Sequence, residues 1–189
     1  MKSAIIGVGS AGCSALSVFG SPSEIMRETI YLAIVNAGRS LREIDALIVC
    51  PATIGEPHFM SAHFLASKLG IEKQLRYCAT TSTGGAGPVS ALLMADDLIR
   101  RGRASVVAIT AADSLASLNK KEMLLRIGKA INHPDFQDGL TPVVPILYDR
   151  VAQWHHKTYG TKREQFALVP VLMSMQASRH PRAMNRTIL

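Results

Sequence analysis

The apolar positions of this chain follow two rhythms. Short runs of β-branched and small residues, "SAIIGV" (3–8), "IDALIVCPAT" (44–53), "LRYCATT" (75–81) and "ASVVAIT" (104–110), are set off by Gly, Pro or polar residues, as short buried strands are. Between them, apolar residues return every three to four positions, as on one face of a helix. In the first such stretch Ser21 stands as cap, Pro22 suits the first turn, and Glu24 completes a capping box. Met26, Ile30, Ala33, Ile34 and Ala37 share its apolar face, and Gly38 stops it. The second helix is "FMSAHFLASKLG", ended by Gly70, and the third runs from Pro88 to Arg101, ended by Gly102. The charges of the third, Asp96, Asp97, Arg100 and Arg101, gather near its end. Its opening "PVSALLMA" is apolar on every side, which predicts an N-terminal half buried all round.

The order is β-α-β-α-β-α-β over the first 110 residues. Alternating strands and helices predict an α/β fold, with a mostly parallel sheet and helices on both faces. After Thr110 the rhythm breaks into polar loop, a short helix and Pro/Gly turns. Two helices are then predicted, from Pro145 to about Tyr159 and from Thr161 to about Ser178, with Pro170 kinking or dividing the second. Residues 1–112 thus read as an incomplete α/β domain and residues 113–189 as a helical segment.

Composition narrows the function classes. Of 189 residues 48% are hydrophobic and 19% charged, a globular balance, and the low aromatic share of 5% favours packed α/β layers over a β-sandwich. The net charge of +7 suits an anionic partner. The basic residues are scattered, without long runs or interleaved aromatics, so they lack the footprint of a nucleic-acid binder. The N-terminus is broken by three glycines and carries one lysine, which speaks against a signal peptide; no apolar run of about 18 residues predicts a membrane span. Cys13, Cys50 and Cys78 form no C-x-x-C pair and leave an odd one, as for free thiols in the cytoplasm or another reducing compartment.

Several patterns invite chemistry. "GVGSAG" (7–12) has the dinucleotide spacing, but a newly capped helix begins at "SPSE" where the crossover helix should already run. His58 and His63 are five apart and His155 and His156 adjacent, neither of which aims two imidazoles at one metal. Ser82 lacks the G-x-S-x-G frame of a hydrolase and reads as a turn residue. The glycine-rich turn Thr83, Gly84, Gly85 and Ala86, before the third helix, offers backbone N–H donors and the positive end of a helix dipole, a seat for an oxyanion or thioester oxygen. The same glycines equally satisfy close packing of strand against helix.

Three stretches resemble the thiolase superfamily, most closely thiolase-like relatives of the sterol-carrier-protein type. They are "STGGAGPVSALLMADDLIRRGRASVVAI", "REIDALIVCPAT" and "YGTKREQFALVPVLMSMQASRHPRAMNR", the last including Tyr159, Gly160, Thr161, Glu164, Phe166 and Ala167. Pro181 fits the family's turn, with His180 where Asn is usual. The resemblance implies a thiolase-like layered fold whose loop domain begins in 113–189, an acyltransferase or retro-aldolase chemistry of lipid metabolism, and a coenzyme A thioester as substrate rather than a tightly bound cofactor. It also implies a homodimer, with "LRYCATT" pairing with its own copy, or a complementary thiolase-half subunit. Counting back from "IRRG" puts Gly85 where the family's nucleophilic cysteine stands, so a cysteine cannot act at that point. Cys78, seven residues earlier, is the alternative nucleophile, and Lys157, Lys162 and Arg163 are candidates for CoA phosphates, although a solvated helix face accounts for them as well. The family's catalytic histidine and second cysteine belong to a later half that this sequence does not contain. Three readings follow: a thioester-binding relative without the usual nucleophile, a non-catalytic partner subunit, and an acyltransferase using Cys78.

Overall fold

The computed structural model describes residues 2–11, 20–51, 54, 60–131, 133–136, 138, 141–181 and 183–189. They fall into two compact units, residues 2–11 with 20–118, and residues 119–189.

In the first unit, helices α1 (Pro22–Ala37), α2 (Ser61–Leu69) and α3 (Gly87–Arg100) alternate with strands β1 (Ala46–Cys50), β2 (Tyr77–Thr80) and β3 (Val107–Ala111). The sheet is parallel, in the order β2-β1-β3. All five residues of β1, "ALIVC", are buried, as a central strand covered on both faces requires. Its alternation sends Leu47 and Val49 to one face, against Met26 and Ile30 of α1 and Leu65 and Leu69 of α2. Ala46, Ile48 and Cys50 go to the other, against Ala91, Ala95 and Leu98 of α3. Full burial of an aliphatic chain such as Leu47 or Ile48 contributes roughly 1.5–3 kcal/mol, so these two layers hold the unit together.

Asp45 ties the strand starts. Its carboxylate accepts from the backbone N–H of Ser105 (2.9 Å) and Val106 (2.9 Å), its own N–H donates to the Val106 carbonyl, and its carbonyl accepts from Arg76 N–H (2.8 Å). The helices stop as predicted at Gly38 and Gly70, both left-handed (φ 61° and 67°).

Three expectations are corrected. The first concerns residues 3–8, which form no strand: Ile5 and Val8 are 73% and 68% exposed, and no strand pairs with them among the described residues. The segment lies against helices instead. Val8 N–H donates to Asn36 Oδ1 (2.9 Å), and Ser3 Oγ to Asp96 Oδ1. Gly7 and Gly9 sit so close to α1 that a Cβ would collide with the carbonyl oxygens of Ala33 and Thr29. Their spacing thus serves close approach to a helix; Gly12 and Cys13 lie outside the described residues. Second, the Ser21–Glu24 capping box is not made. Ser21 Oγ bonds Ser23 Oγ, while Glu24 is taken by Lys68 (2.5 Å) and Arg27 (3.0 Å). Third, α3 is not buried all round: Ala91, Ala95 and Leu98 face the sheet, but Val89 and Leu93 are 60% and 68% exposed and Leu92 is exposed beside them.

In the second unit, α4 (Lys120–Ile131), α5 (Val143–Tyr159) and α6 (Arg163–Arg179) follow one another. Pro170 lies inside α6, which it does not divide. No helix of the described residues is long and apolar enough to cross a membrane.

Candidate functional site

The glycine turn leaves β2 and enters α3. Thr81 N–H still bonds the Val49 carbonyl (2.9 Å), holding the turn beside the carboxyl end of β1. Gly84 then takes a left-handed conformation (φ 57°), and two tight bonds follow: Ala86 N–H to the Thr83 carbonyl (3.2 Å) and Gly87 N–H to the Gly84 carbonyl (3.0 Å). Thr83 Oγ1 bonds Ser90 Oγ (3.0 Å), pinning the turn to the first helical turn.

These bonds sort the donors. Ala86 and Gly87 spend their N–H groups internally, and Pro88 has none. Gly84, Gly85 and Val89 have no protein acceptor among the described residues. Residues 82–86 are exposed, and a Cβ built on Gly84 or Gly85 meets nothing within 4 Å. Among the described residues, nothing packs against these two glycines and the space above them is open. The positive end of the 14-residue α3 lies at the same place. The arrangement suits hydrogen bonding to a carbonyl oxygen or oxyanion. Of the four residues expected to form the seat, Thr83, Gly84 and Gly85 supply the scaffold and free donors, while the Ala86 amide is consumed. The Val89 amide is a donor that the sequence did not single out, visible only once Pro88 and Gly87 are seen to leave it first in line.

The thiols are placed by strand parity. Cys78 is paired with Leu47, and its side chain packs with the α1–α2 layer, on the face opposite α3. Next to it Thr80 Oγ1 accepts from Ala62 N–H at the start of α2 (3.1 Å). The structure thus does not bring Cys78 to the glycine turn, and burial pushes its thiol above the ordinary value. Cys50, on the other face, lies under the first residue of α3: a Cβ on Gly87 would be 3.6 Å from its Sγ. Burial raises its thiol as well, which fits a packing residue rather than a thiolate.

Lys157, Lys162 and Arg163 are exposed around the α5–α6 corner of the second unit. The corner is built by adjacent histidines on one threonine. His156 Nδ1 bonds the Thr161 carbonyl (2.6 Å), and His155 Nδ1 bonds the Thr161 hydroxyl (2.8 Å). His155 also meets Tyr159 and Phe166, at ring separations of 4.7 and 5.9 Å. The histidine pair is thus a structural clasp. His58 lies outside the described residues.

No family model matches the chain, and no curated protein matches it. Solved structures do. The Ltp2-ChsH2(DUF35) aldolase is similar over 96% of this chain and 44% of its own, at 23% identity and a TM-score of 0.71. The acetyl-CoA acetyltransferase from Syntrophomonas wolfei is similar over 61% of this chain and 29% of its own, at 16% identity and a TM-score of 0.53. For the 3-oxoacyl-(acyl carrier protein) synthase III, FabH, from Pseudomonas aeruginosa PAO1, the shares are 61% and 43%, at 17% identity and a TM-score of 0.50. The chain spans less than half the length of each. Layered parallel sheet, glycine turn and buried strand order together give this chain the thiolase-like fold.

Proposed function

We propose that this protein is a thiolase-like binder of acyl-CoA-type thioesters in lipid metabolism, related to acyltransferases and retro-aldolases but without a cysteine at the nucleophile's place. One observation carries it: among the described residues, the exposed turn before α3 keeps the N–H groups of Gly84, Gly85 and Val89 without protein acceptors and the space above Gly85 open. A thioester oxygen placed there gains hydrogen bonds and the helix dipole at little reorganisation cost. With glycine at position 85 the turn polarises a carbonyl and offers no nucleophile of its own. Residues 113–189 stand as the start of a loop domain. The tested quantity is the contribution of the carbonyl. Calorimetric titration with acetyl-CoA, and with the thioether analogue that lacks the oxygen, should give tighter binding of the thioester. Equal affinities would remove the turn from the account, and no heat at millimolar ligand would remove thioester binding altogether.

A second reading is favoured by the outward face of α3. Val89, Leu92 and Leu93 form an exposed apolar patch on a helix whose opposite side is core. A homodimer, or a complementary thiolase-half subunit, would cover it. The similar aldolase is named for two components, Ltp2 and ChsH2(DUF35), which is in keeping with a partnered protein. Light scattering separates these possibilities: a dimer supports self-association, and a monomer at high concentration leaves only a different subunit.

A further inference from the structure

Residues 3–8 have the composition of a strand but no ladder, and their place in the first unit gives that a use. Ser3 Oγ donates to Asp96 of α3, and Val8 N–H donates to Asn36 of α1. These two helices cover opposite faces of the sheet. Both reach β3: α1 through Thr29, whose hydroxyl bonds that of Thr110 (3.1 Å), and α3 through the layer that Val107 and Ile109 join. The segment therefore follows the margin of the sheet on the β3 side. Gly7 meets α1 at Ala33 and Ala37, and Gly9 meets it earlier, at Thr29 and Ala33. The end of α1 leads into β1, and Thr29 lies level with the end of β3, so residues 7–9 run in the direction of the strands.

The margin they follow is bare. In a parallel ladder the N–H and C=O of one residue face the same side, and alternate residues face opposite sides. Ala46 N–H donates to the Val106 carbonyl, which turns Val106, Ala108 and Thr110 toward β1 and Val107, Ile109 and Ala111 outward. Among the described residues nothing pairs with the outward backbone groups, and nothing pairs with the backbone of residues 4–7. β1 is buried throughout, whereas Val107, Ala108 and Ile109 are only half-buried although helices lie over both faces. Two extended backbones thus flank one another with polar groups that a further strand would satisfy.

We propose that the outer edge of β3 takes up one strand of a partner polypeptide, which enters between β3 and residues 3–8 and pairs with both. This rests on the partnered reading given above and names its surface. A strand there has α1 over one face and α3 over the other, so its sequence is an apolar run like that of β1. A second copy of this chain does not suit the place. Its own β3 is flanked by its own residues 3–8, and the edge of a folded sheet pairs on one side only. The occupant is an extended segment with both edges open, the mode in which a peptide adds to a sheet.

Amide exchange reads the edge residue by residue. The isotope-labelled full chain is followed by NMR, alone and with a lysine-tailed peptide of core Val-Ala-Ile-Val-Ala. Alone, Val107 and Ile109 should exchange fast and Ala108 and Thr110 slowly. At saturating peptide Val107, Ile109 and alternate amides within residues 4–7 should slow by about tenfold or more. The fully N-methylated peptide, which has no donors, should protect none of them. Ile109→Pro deletes an outward N–H and spares the ladder to β1; it should weaken the peptide about fivefold, while Ile109→Val retains it. Slow exchange at Val107 and Ile109 without peptide, or no protection at saturation, overturns the proposal. Protection of β3 without residues 4–7 overturns entry between them. Protection that grows with protein concentration alone gives the edge to a second copy and overturns it as well. A dimer in light scattering with both amides still fast sinks the strand site and leaves the partnered reading standing.

Discussion

A side chain at position 85 would meet no atom of the described residues within 4 Å, and Gly85 is not among the residues with positive φ; Gly84, one step earlier, has φ 57°. The two glycines therefore answer substitution differently. Gly85→Cys should fold as the parent does and place a thiol in solvent at the start of α3, where the dipole favours its thiolate. Mass spectrometry after brief iodoacetamide treatment should find position 85 alkylated before Cys50 and Cys78, whose thiols burial raises. Equal or slower labelling at 85 would mean that the turn supplies no positive field. Gly84→Ala should instead cost about 1 kcal/mol in a denaturant titration, the penalty of a Cβ in the left-handed region. That a glycine turn precedes α3 could be read from sequence. Which amides remain free could not, because that depends on the Thr83 and Gly84 carbonyls turning inward to take the N–H groups of Ala86 and Gly87.

At the scale of elements, Asp45 shows how a short sequence pattern acts. Its carboxylate and backbone reach the segments leading into both neighbouring strands. Asp45→Ala leaves the Ser105 and Val106 amides without that acceptor and should destabilise the sheet by roughly 1–3 kcal/mol, with m unchanged; a loss below about 0.5 kcal/mol would show that water replaces the carboxylate. Helices and strands backed by local signals were legible: β1 as an unbroken apolar run, α1 and α2 by their apolar spacing and the glycines that stop them. Two features were not. Residues 3–8 have strand composition, but a strand exists only with a ladder partner, and pairing is not written in local composition. The opening of α3 is apolar on all sides, and sequence does not say whether its second side meets the same chain, another chain or water. Leu93→Glu tests that side. It should leave the thermal midpoint within about 2 °C, as exposed positions do, and abolish any dimer seen by light scattering. Unfolding of the variant would show that the face is core.

The whole molecule is a basic chain of two units that spans less than half the length of the structures it resembles. Fold class was legible at this scale because alternation of strand and helix fixes a parallel layered sheet. Substrate and partners were not, since they depend on donors, edges and faces that only the folded chain assembles. Charge within the first unit also sets its acid limit. The Lys68 bond, with Arg27, holds the Glu24 carboxyl below its ordinary value of 4.5. A folded-state value below the unfolded one contributes stability above the unfolded value and loses it as pH falls through the folded one. Lys68→Met should therefore move acid unfolding of the first unit to higher pH, read by circular dichroism; an unmoved midpoint would leave Glu24 without a part in it. The central claim, that the turn before α3 seats a thioester oxygen, is tested most directly by isotope-edited infrared spectroscopy of acetyl-CoA labelled at its carbonyl carbon. Free N–H donors on that oxygen should shift the carbonyl band to lower frequency on binding. A band unshifted while calorimetry shows the ligand bound would contradict the account.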